Sequence, residues 1–233
     1  MQPVILTIPA FEPAASLPEL VGGVLPHVSG CIVVDDGSRG ADAVFGELRG
    51  MDGVTVLRHA RNRGKGAALK TAFAEILRRF PTAVGTVTAD ADGQHTPADI
   101  LRVAGSLAAH PGQMTLGVRT FGRGVPFRSK LGNLWTITAF RLLTGRRVRD
   151  TQTGLRGIPL SFLPRLLEIP GERYDYEIRM LVSAAVRADG IVQLPISTVY
   201  GDGNASSHFR PFVDTVRTQA ALFSAARAAR RAP

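Results

Sequence analysis

The segment TVTADADGQH, residues 86–95, sets Asp90 and Asp92 one residue apart at the end of an apolar run. Two carboxylates this close repel each other, so the pair calls for a positive partner: a metal ion, an arginine, or water alone. On an extended chain residues i and i+2 point the same way, which puts Asp90 and Asp92 on one face. Gly93 lets the backbone turn there and would bring the Gln94 amide oxygen to the same point. Two carboxylates and an amide oxygen are hard ligands, suited to Mg²⁺ or Mn²⁺ completed by water and phosphate oxygens. The plainer reading is a solvated turn, in which Asp and Gly are common.

A second acidic stretch, VVDDGSRG at residues 33–40, ends another apolar run. Asp35 and Asp36 there can accept from a base edge or ribose hydroxyls, or can simply form an Asp-Gly turn. RNRGKGAALKTAF, residues 61–73, invites a phosphate-loop reading that fails, because His59 and Gly66 stand where that loop needs Gly and Ser or Thr. What survives is a basic turn entering a helix, whose first amides and Lys65 can face an anion. His27, His59 and His110 look incidental and have no metal-ligand spacing, whereas His95 and His208 adjoin polar motifs. Nothing resembles a nucleophile elbow, so covalent hydrolase chemistry is excluded.

The elements that must hold these residues follow from periodicity. Short apolar runs at 4–8, 31–36, 54–59, 83–90 and 114–118 read as strands, and amphipathic stretches such as 66–80 lie between them. Thr96, Pro97 and Asp99 read as the capped start of a helix to about Ala109. Strand–helix alternation with near-continuous apolar strands predicts an α/β fold with a mostly parallel sheet covered on both faces. Ligands in such sheets bind at the carboxyl ends of strands, where both acidic stretches fall. Beyond Gly117, helices are expected at 131–145, 160–168 and 174–188, a strand at 192–200, and a basic helix from about Pro211.

Composition is that of an ordinary globular chain: 233 residues, 45% hydrophobic and 20% charged. No apolar run reaches the ~18 residues a membrane span needs. The N-terminal MQPVILTIPAF lacks a basic n-region and reads as a first strand rather than a signal peptide. The single cysteine, Cys31, fits a reducing cytoplasm. The net charge of +9 comes almost wholly from arginine, since Lys65, Lys70 and Lys130 are the only lysines. Such an excess attracts nucleic acid, anionic lipid or phosphorylated small molecules. Nucleic acid is disfavoured as a partner, because aromatic content is 6% and no recognition motif occurs.

Taken in order, IPAFEP, VVDDGS, RNRGKGAALKTAF, TADADGQH, GVR with VPFRSKLGN, LLTGRRVRDTQTGLRGIP, GERYDYE and YGDGNASSHFRP resemble the family-2 glycosyltransferases of the GT-A fold. The closer branch is that of the dolichyl- or polyprenyl-phosphate sugar synthases. The resemblance implies one Rossmann-like domain over residues 1–210, with a nucleotide-sugar half (1–118) and an acceptor half (119–210), followed by a basic amphipathic helix at 211–233. It implies that Pro9, Ala10, Glu12, Asp35, Asp36, Lys65, Asp90 and Ala91 bind the nucleotide sugar. Asp90, Asp92 and Gln94 would hold Mg²⁺ or Mn²⁺. Many relatives read Pro-Ala-Tyr-Asn-Glu where this chain has Pro9-Ala10-Phe11-Glu12-Pro13, which moves the acid by one register step. Asp92, Arg119, Asp150 and Glu177 would serve catalysis. Arg119, Arg128, Lys130, Gln152, Arg156, Ser207 and His208 would meet acceptor or diphosphate, with Tyr174 and Asp175 beyond them.

The expected reaction is inverting, metal-dependent transfer of a sugar from a nucleoside-diphosphate sugar to a polyprenyl phosphate. A phosphate monoester has its second pKa at ~6 and is already a nucleophilic dianion at neutral pH. A sugar hydroxyl, the alternative acceptor, would need a carboxylate base within hydrogen-bond reach. The arginines at 119, 123, 128, 146, 147 and 149 suit the phosphate, while Asp150, Asp175 and Glu177 stand available as bases for a hydroxyl. A nucleotidyltransferase would use a similar site. The arginine-rich last helix can lie on an anionic membrane or pack on the domain. Cytoplasmic placement is expected, with peripheral contact to the inner membrane face or a small membrane-protein partner.

Overall fold

Along β1 (Val4–Ala10) the side chains alternate between two apolar layers, and this strand organises the sheet. Val4, Leu6 and Ile8 enter one layer and Ile5 the other. In the computed structural model, residues 3–119, 127–186, 190–197 and 211–229 are described, with the side chains of 127–135, 211–216 and 229 outside that description. Among them the chain runs β1, α1 (Leu17–Val24), β2 (Gly30–Asp35), α2 (Asp42–Arg49), β3 (Val54–Arg58), α3 (Lys65–Arg79), β4 (Gly85–Thr88), α4 (Pro97–Ala109) and β5 (Met114–Arg119). It continues through α5 (Phe127–Thr144), β6 (Arg156–Pro159), α6 (Leu163–Glu168), α7 (Asp175–Ala185), β7 (Ile191–Ile196) and α8 (Pro211–Ala229).

The strands form one sheet in the order β3-β2-β1-β4-β6-β5-β7. All neighbours are parallel except at β6, which is antiparallel to both β4 and β5. Helices α1, α2 and α4 cover one face, and α3, α6 and α7 cover the other. The expected α/β architecture therefore holds. Patterning gives no strand at 156–159, since Arg-Gly-Ile-Pro carries no alternation. It is recruited because its backbone closes the ladder between β4 and β5. The last helix, expected as an appended basic segment, buries Ala221, Leu222 and Ala226 in the same core cluster as α7. It is packed on the domain. Among the described residues no helix is long and apolar enough to cross a membrane.

Candidate active site

The strand order reverses beside β1: the chain goes from β1 outward to β2 and β3, then returns to place β4 on the other flank. Such a switch point opens a crevice at the carboxyl ends of the two central strands. Phe11–Ala14 leave β1 there and Asp90–His95 leave β4, tied together by Ala14 N–H donating to Ala91 O at 3.1 Å. Pro9 and Ala10 are buried at the end of β1, paired with Val34 and Asp35. Gly93 turns the chain with φ 77. Thr96 then caps α4 by accepting from Asp99 N–H, as its position before Pro97 predicts.

The acidic pair meets a lysine. Lys65 Nζ lies 2.6 Å from Asp90 Oδ1 and 2.9 Å from Glu177 Oε1, joining the starts of α3 and α7 to the end of β4. Burial alone would lower the Lys65 ammonium, but the two carboxylates outweigh it and hold it above its ordinary value. Burial would likewise raise Asp90, yet Lys65 foremost holds that carboxyl well below the usual range. Lys65, expected to face a donor phosphate, is thus seen paired with two carboxylates at the same strand end. His95, buried beside the pair, sets Nε2 3.5 Å from Asp90 Oδ2 as an electrostatic contact without hydrogen-bond geometry. The backbone of Gly154 presses on the Asp90 carboxylate so closely that a Cβ there would overlap it.

Asp92 is left out of this arrangement. Its Oδ1 accepts from Gln94 N–H at 3.0 Å. Burial first, then the neighbouring Asp90 charge, pushes its carboxyl above the ordinary value. The region therefore holds more negative charge than Lys65 offsets, and a hard cation fits that imbalance. No group of three or more His, Cys, Asp or Glu side chains converges among the described residues. Asp90, Asp92 and the Gln94 amide oxygen could supply only part of a coordination shell.

At the other acidic strand end the expectation changes. Asp36 is 2% exposed and accepts from His59 Nδ1 (2.7 Å), Arg63 N–H (2.9 Å) and Gly64 N–H (2.7 Å). Instead of meeting a base or ribose, it anchors the turn that launches α3. His59, which looked incidental, is sandwiched between Asp36 and Thr71, with Nε2 2.9 Å from Thr71 Oγ1. Asp35, fully buried, accepts from Ser38 N–H through Oδ1, while Arg58 Nε lies 3.2 Å from its Oδ2. Glu12 adopts φ 48, unusual for a non-glycine residue. Its N–H donates to Ser38 Oγ, and its Oε1 accepts from Arg39 N–H. Glu12 thereby braces the 38–39 turn.

On the acceptor side Arg119, at the end of β5, makes a two-point pair with the fully buried Asp150: Nε to Oδ2 at 2.6 Å and Nη2 to Oδ1 at 3.1 Å. Asp150 also accepts from Gln152 N–H, and the Gln152 side chain is exposed. Asp150 is therefore an orienting partner of Arg119, which removes it as a free base. Arg156 is corrected outright. It is 0% exposed, and its guanidinium donates to the carbonyls of Thr153 (2.9 Å), Glu177 (2.6 Å) and Thr151 (3.5 Å), so it holds the fold and cannot touch an acceptor. Asp175, half-buried, sits 3.6 Å from Arg179 Nε. Arg123, Ser207 and His208, and the side chains of Arg128 and Lys130, lie outside the described residues. Sequence reasoning missed the Lys65–Glu177 bridge, the Gly154 contact and the His59 sandwich. All three join segments far apart in the chain, and no local spacing signals them.

Comparison with known proteins agrees with this fold. Residues 6–163 match the model of glycosyl transferase family 2. A UDP-N-acetylglucosamine–dolichyl-phosphate N-acetylglucosaminyltransferase from Methanococcus voltae is 29% identical over 219 residues, covering 84% of this chain and 86% of that one. A polyprenol monophosphomannose synthase from Mycolicibacterium smegmatis is 29% identical over 208 residues, covering 84% and 77%. Among solved structures, glucosyl-3-phosphoglycerate synthase from Mycobacterium tuberculosis, in complex with Mn²⁺, uridine diphosphate and glucosyl-3-phosphoglycerate, superposes with TM-score 0.71 at 18% identity, over 97% of this chain and 80% of that one.

Proposed function

Because the chain belongs to glycosyl transferase family 2, we propose that it moves a sugar from a nucleoside-diphosphate sugar to a polyprenyl phosphate, with inversion and with a divalent metal ion. The carrying observation is the under-neutralised acidic pair at the switch point, where Asp92 is raised by burial and by Asp90. Asp92, with Asp90 and the Gln94 amide oxygen, would hold Mg²⁺ or Mn²⁺; bound there, the ion would stabilise the charge that builds on the departing diphosphate. Lys65 keeps Asp90 ionised and fixed, and Gly154 gives that carboxylate room.

An acceptor phosphate oxygen would bond to the anomeric carbon as the carbon–oxygen bond to the diphosphate breaks. The bonding pair leaves with the nucleoside diphosphate, and a dianionic acceptor needs no proton removed. The state of the candidate bases supports this over a hydroxyl acceptor. Asp150 is paired with Arg119, Glu177 with Lys65, and Asp175 with Arg179. None of the three carboxylates is without a cationic partner. The dolichyl-phosphate transferase and the polyprenol monophosphomannose synthase among its relatives point the same way.

The test is thermal stability against a panel of UDP-, GDP- and TDP-sugars with and without Mn²⁺, in the wild type and in Asp92→Asn. One donor class should stabilise the wild type only with metal. The variant should lose that response while remaining at least as stable alone, because it sheds a poorly compensated charge. A metal-dependent donor response surviving in Asp92→Asn would remove the assignment.

A further inference from the structure

The segment RLLTGRRVR, residues 141–149, lies outside the site described above and joins four arginines to an exposed leucine. Arg141, Arg146, Arg147 and Arg149 are all exposed, and none forms an ion pair among the described residues. Between them Leu142 is 76% exposed, the most exposed of the large hydrophobic side chains described. No acid occurs between residues 120 and 149, and the next one, Asp150, is buried against Arg119. An exposed apolar side chain among guanidinium groups that meet no acid among the described residues is costly unless something covers it.

The segment is held in a defined shape. Gly145 N–H donates to Arg141 O at 2.8 Å and ends α5, with φ 73 at the glycine. Thr144 Oγ1 donates to Phe140 O. Beyond the turn, the Gln193 side chain grips the backbone from β7: its Oε1 accepts from Arg149 N–H at 2.8 Å and its Nε2 donates to Arg147 O at 2.9 Å. One residue later the chain dives inward, and Asp150 clamps Arg119. The patch is thus the outer end of the strap whose inner end orients a cation of the acceptor half.

We propose that residues 141–149 dock the protein on an anionic lipid bilayer, with Leu142 inserted among the acyl chains and the four arginines against lipid phosphates. Charge complementarity selects an anionic surface, since each basic residue near such a membrane contributes roughly fivefold to partitioning. The exposed leucine selects lipid over a purely ionic partner, because such a partner gains nothing from receiving it. The inference deepens the lipid-phosphate reading, on which it rests for its purpose: docking here would bring the acceptor-facing half to the carrier. It also moves the membrane contact from the last helix, whose Ala221, Leu222 and Ala226 are spent on the core, to the end of α5.

Co-sedimentation tests it, using the full chain, no donor, and vesicles of phosphatidylglycerol with phosphatidylcholine that contain no polyprenyl phosphate. The wild type should bind these and leave pure phosphatidylcholine unbound, with binding falling as salt rises. Arg146→Gln with Arg147→Gln should weaken binding about 25-fold at roughly fivefold per charge. Leu142→Ser should weaken it about tenfold. In transfer assays Leu142→Ser should lose rate with a long-chain acceptor in anionic vesicles but keep it with a short-chain acceptor in detergent. If the short-chain acceptor fails with every donor while vesicle binding holds, the lipid-phosphate reading falls and the docking surface stands. Wild-type binding by the double arginine variant would overturn the docking surface. So would binding lost instead through Phe223→Ser on α8, or vesicle binding that ignores Leu142→Ser and is displaced by oligonucleotides.

Discussion

Replacing Lys65 by methionine removes the cation that two carboxylates share. The Lys65 side chain is 17% exposed, that of Asp90 26% and that of Glu177 10%, so the bridge is screened far less than a surface pair. Removing one partner of a buried ion pair costs about 3–5 kcal/mol because the remaining charge is left uncompensated. At about 2–4 °C per kcal/mol for a chain of this size, the melting temperature should fall by roughly 6–20 °C near neutral pH. The pH dependence adds a second handle. In the wild type Asp90 is depressed, so its contribution is present above the unfolded value of ~3.9 and is lost as pH falls through its lower folded value. Lys65 is raised, so its contribution is complete below the unfolded value of ~10.4 and fades only above it. The bridge is therefore constant between about pH 5 and about pH 8. In Lys65→Met, burial still raises Asp90 and His95 alone opposes it, so protonation relieves the strain and the deficit should narrow on acidification. Lys65→Met combined with Asp90→Asn should regain part of the loss. A deficit below about 1 kcal/mol that is flat with pH would mean that the bridge behaves as an exposed pair, and the reasoning would fail.

Arg156→Met should lower the urea midpoint by at least about 3 kcal/mol equivalent, since it strands buried carbonyls that each cost ~1–3 kcal/mol unpaired. A normally stable variant with only a raised acceptor KM would instead restore Arg156 to the cleft. Gly154→Ala places a Cβ against Asp90, 2.6 Å from Cγ. Metal-dependent donor binding should weaken at least about tenfold at unchanged circular dichroism, a 1.4 kcal/mol effect on binding. Gly22→Ala, whose Cβ would meet nothing within 4 Å on α1, should be neutral or mildly stabilising. Because Asp92 is raised in the metal-free protein, the apparent affinity for Mn²⁺ should begin to fall on acidification at a pH above the ~3.9 of an ordinary aspartate. An affinity that stays flat down to that value would show that the pair is already neutralised.

What sequence alone determined here is what depends on short-range geometry. Short, near-continuous apolar runs announced the strands from β1 to β5 and β7. The Thr96–Pro97–Asp99 cap announced α4, and the i, i+2 spacing put Asp90 and Asp92 at a strand end. Each is a property of neighbouring residues, and the ordered set of segments carried the family. Tertiary structure alone decided what each charge is for. Asp36 and Arg156 look like ligands in one dimension and are buried anchors in three, because their partners come from residues 59–64 and 151–177. The second carboxylate on Lys65, Glu177, is delivered by α7, more than a hundred residues further along the chain. β6 has no strand signal because its place is set by the gap between β4 and β5. A carboxylate or guanidinium takes its role from the charges and solvent around it, and in a sheet built from crossovers those surroundings arrive from distant parts of the chain.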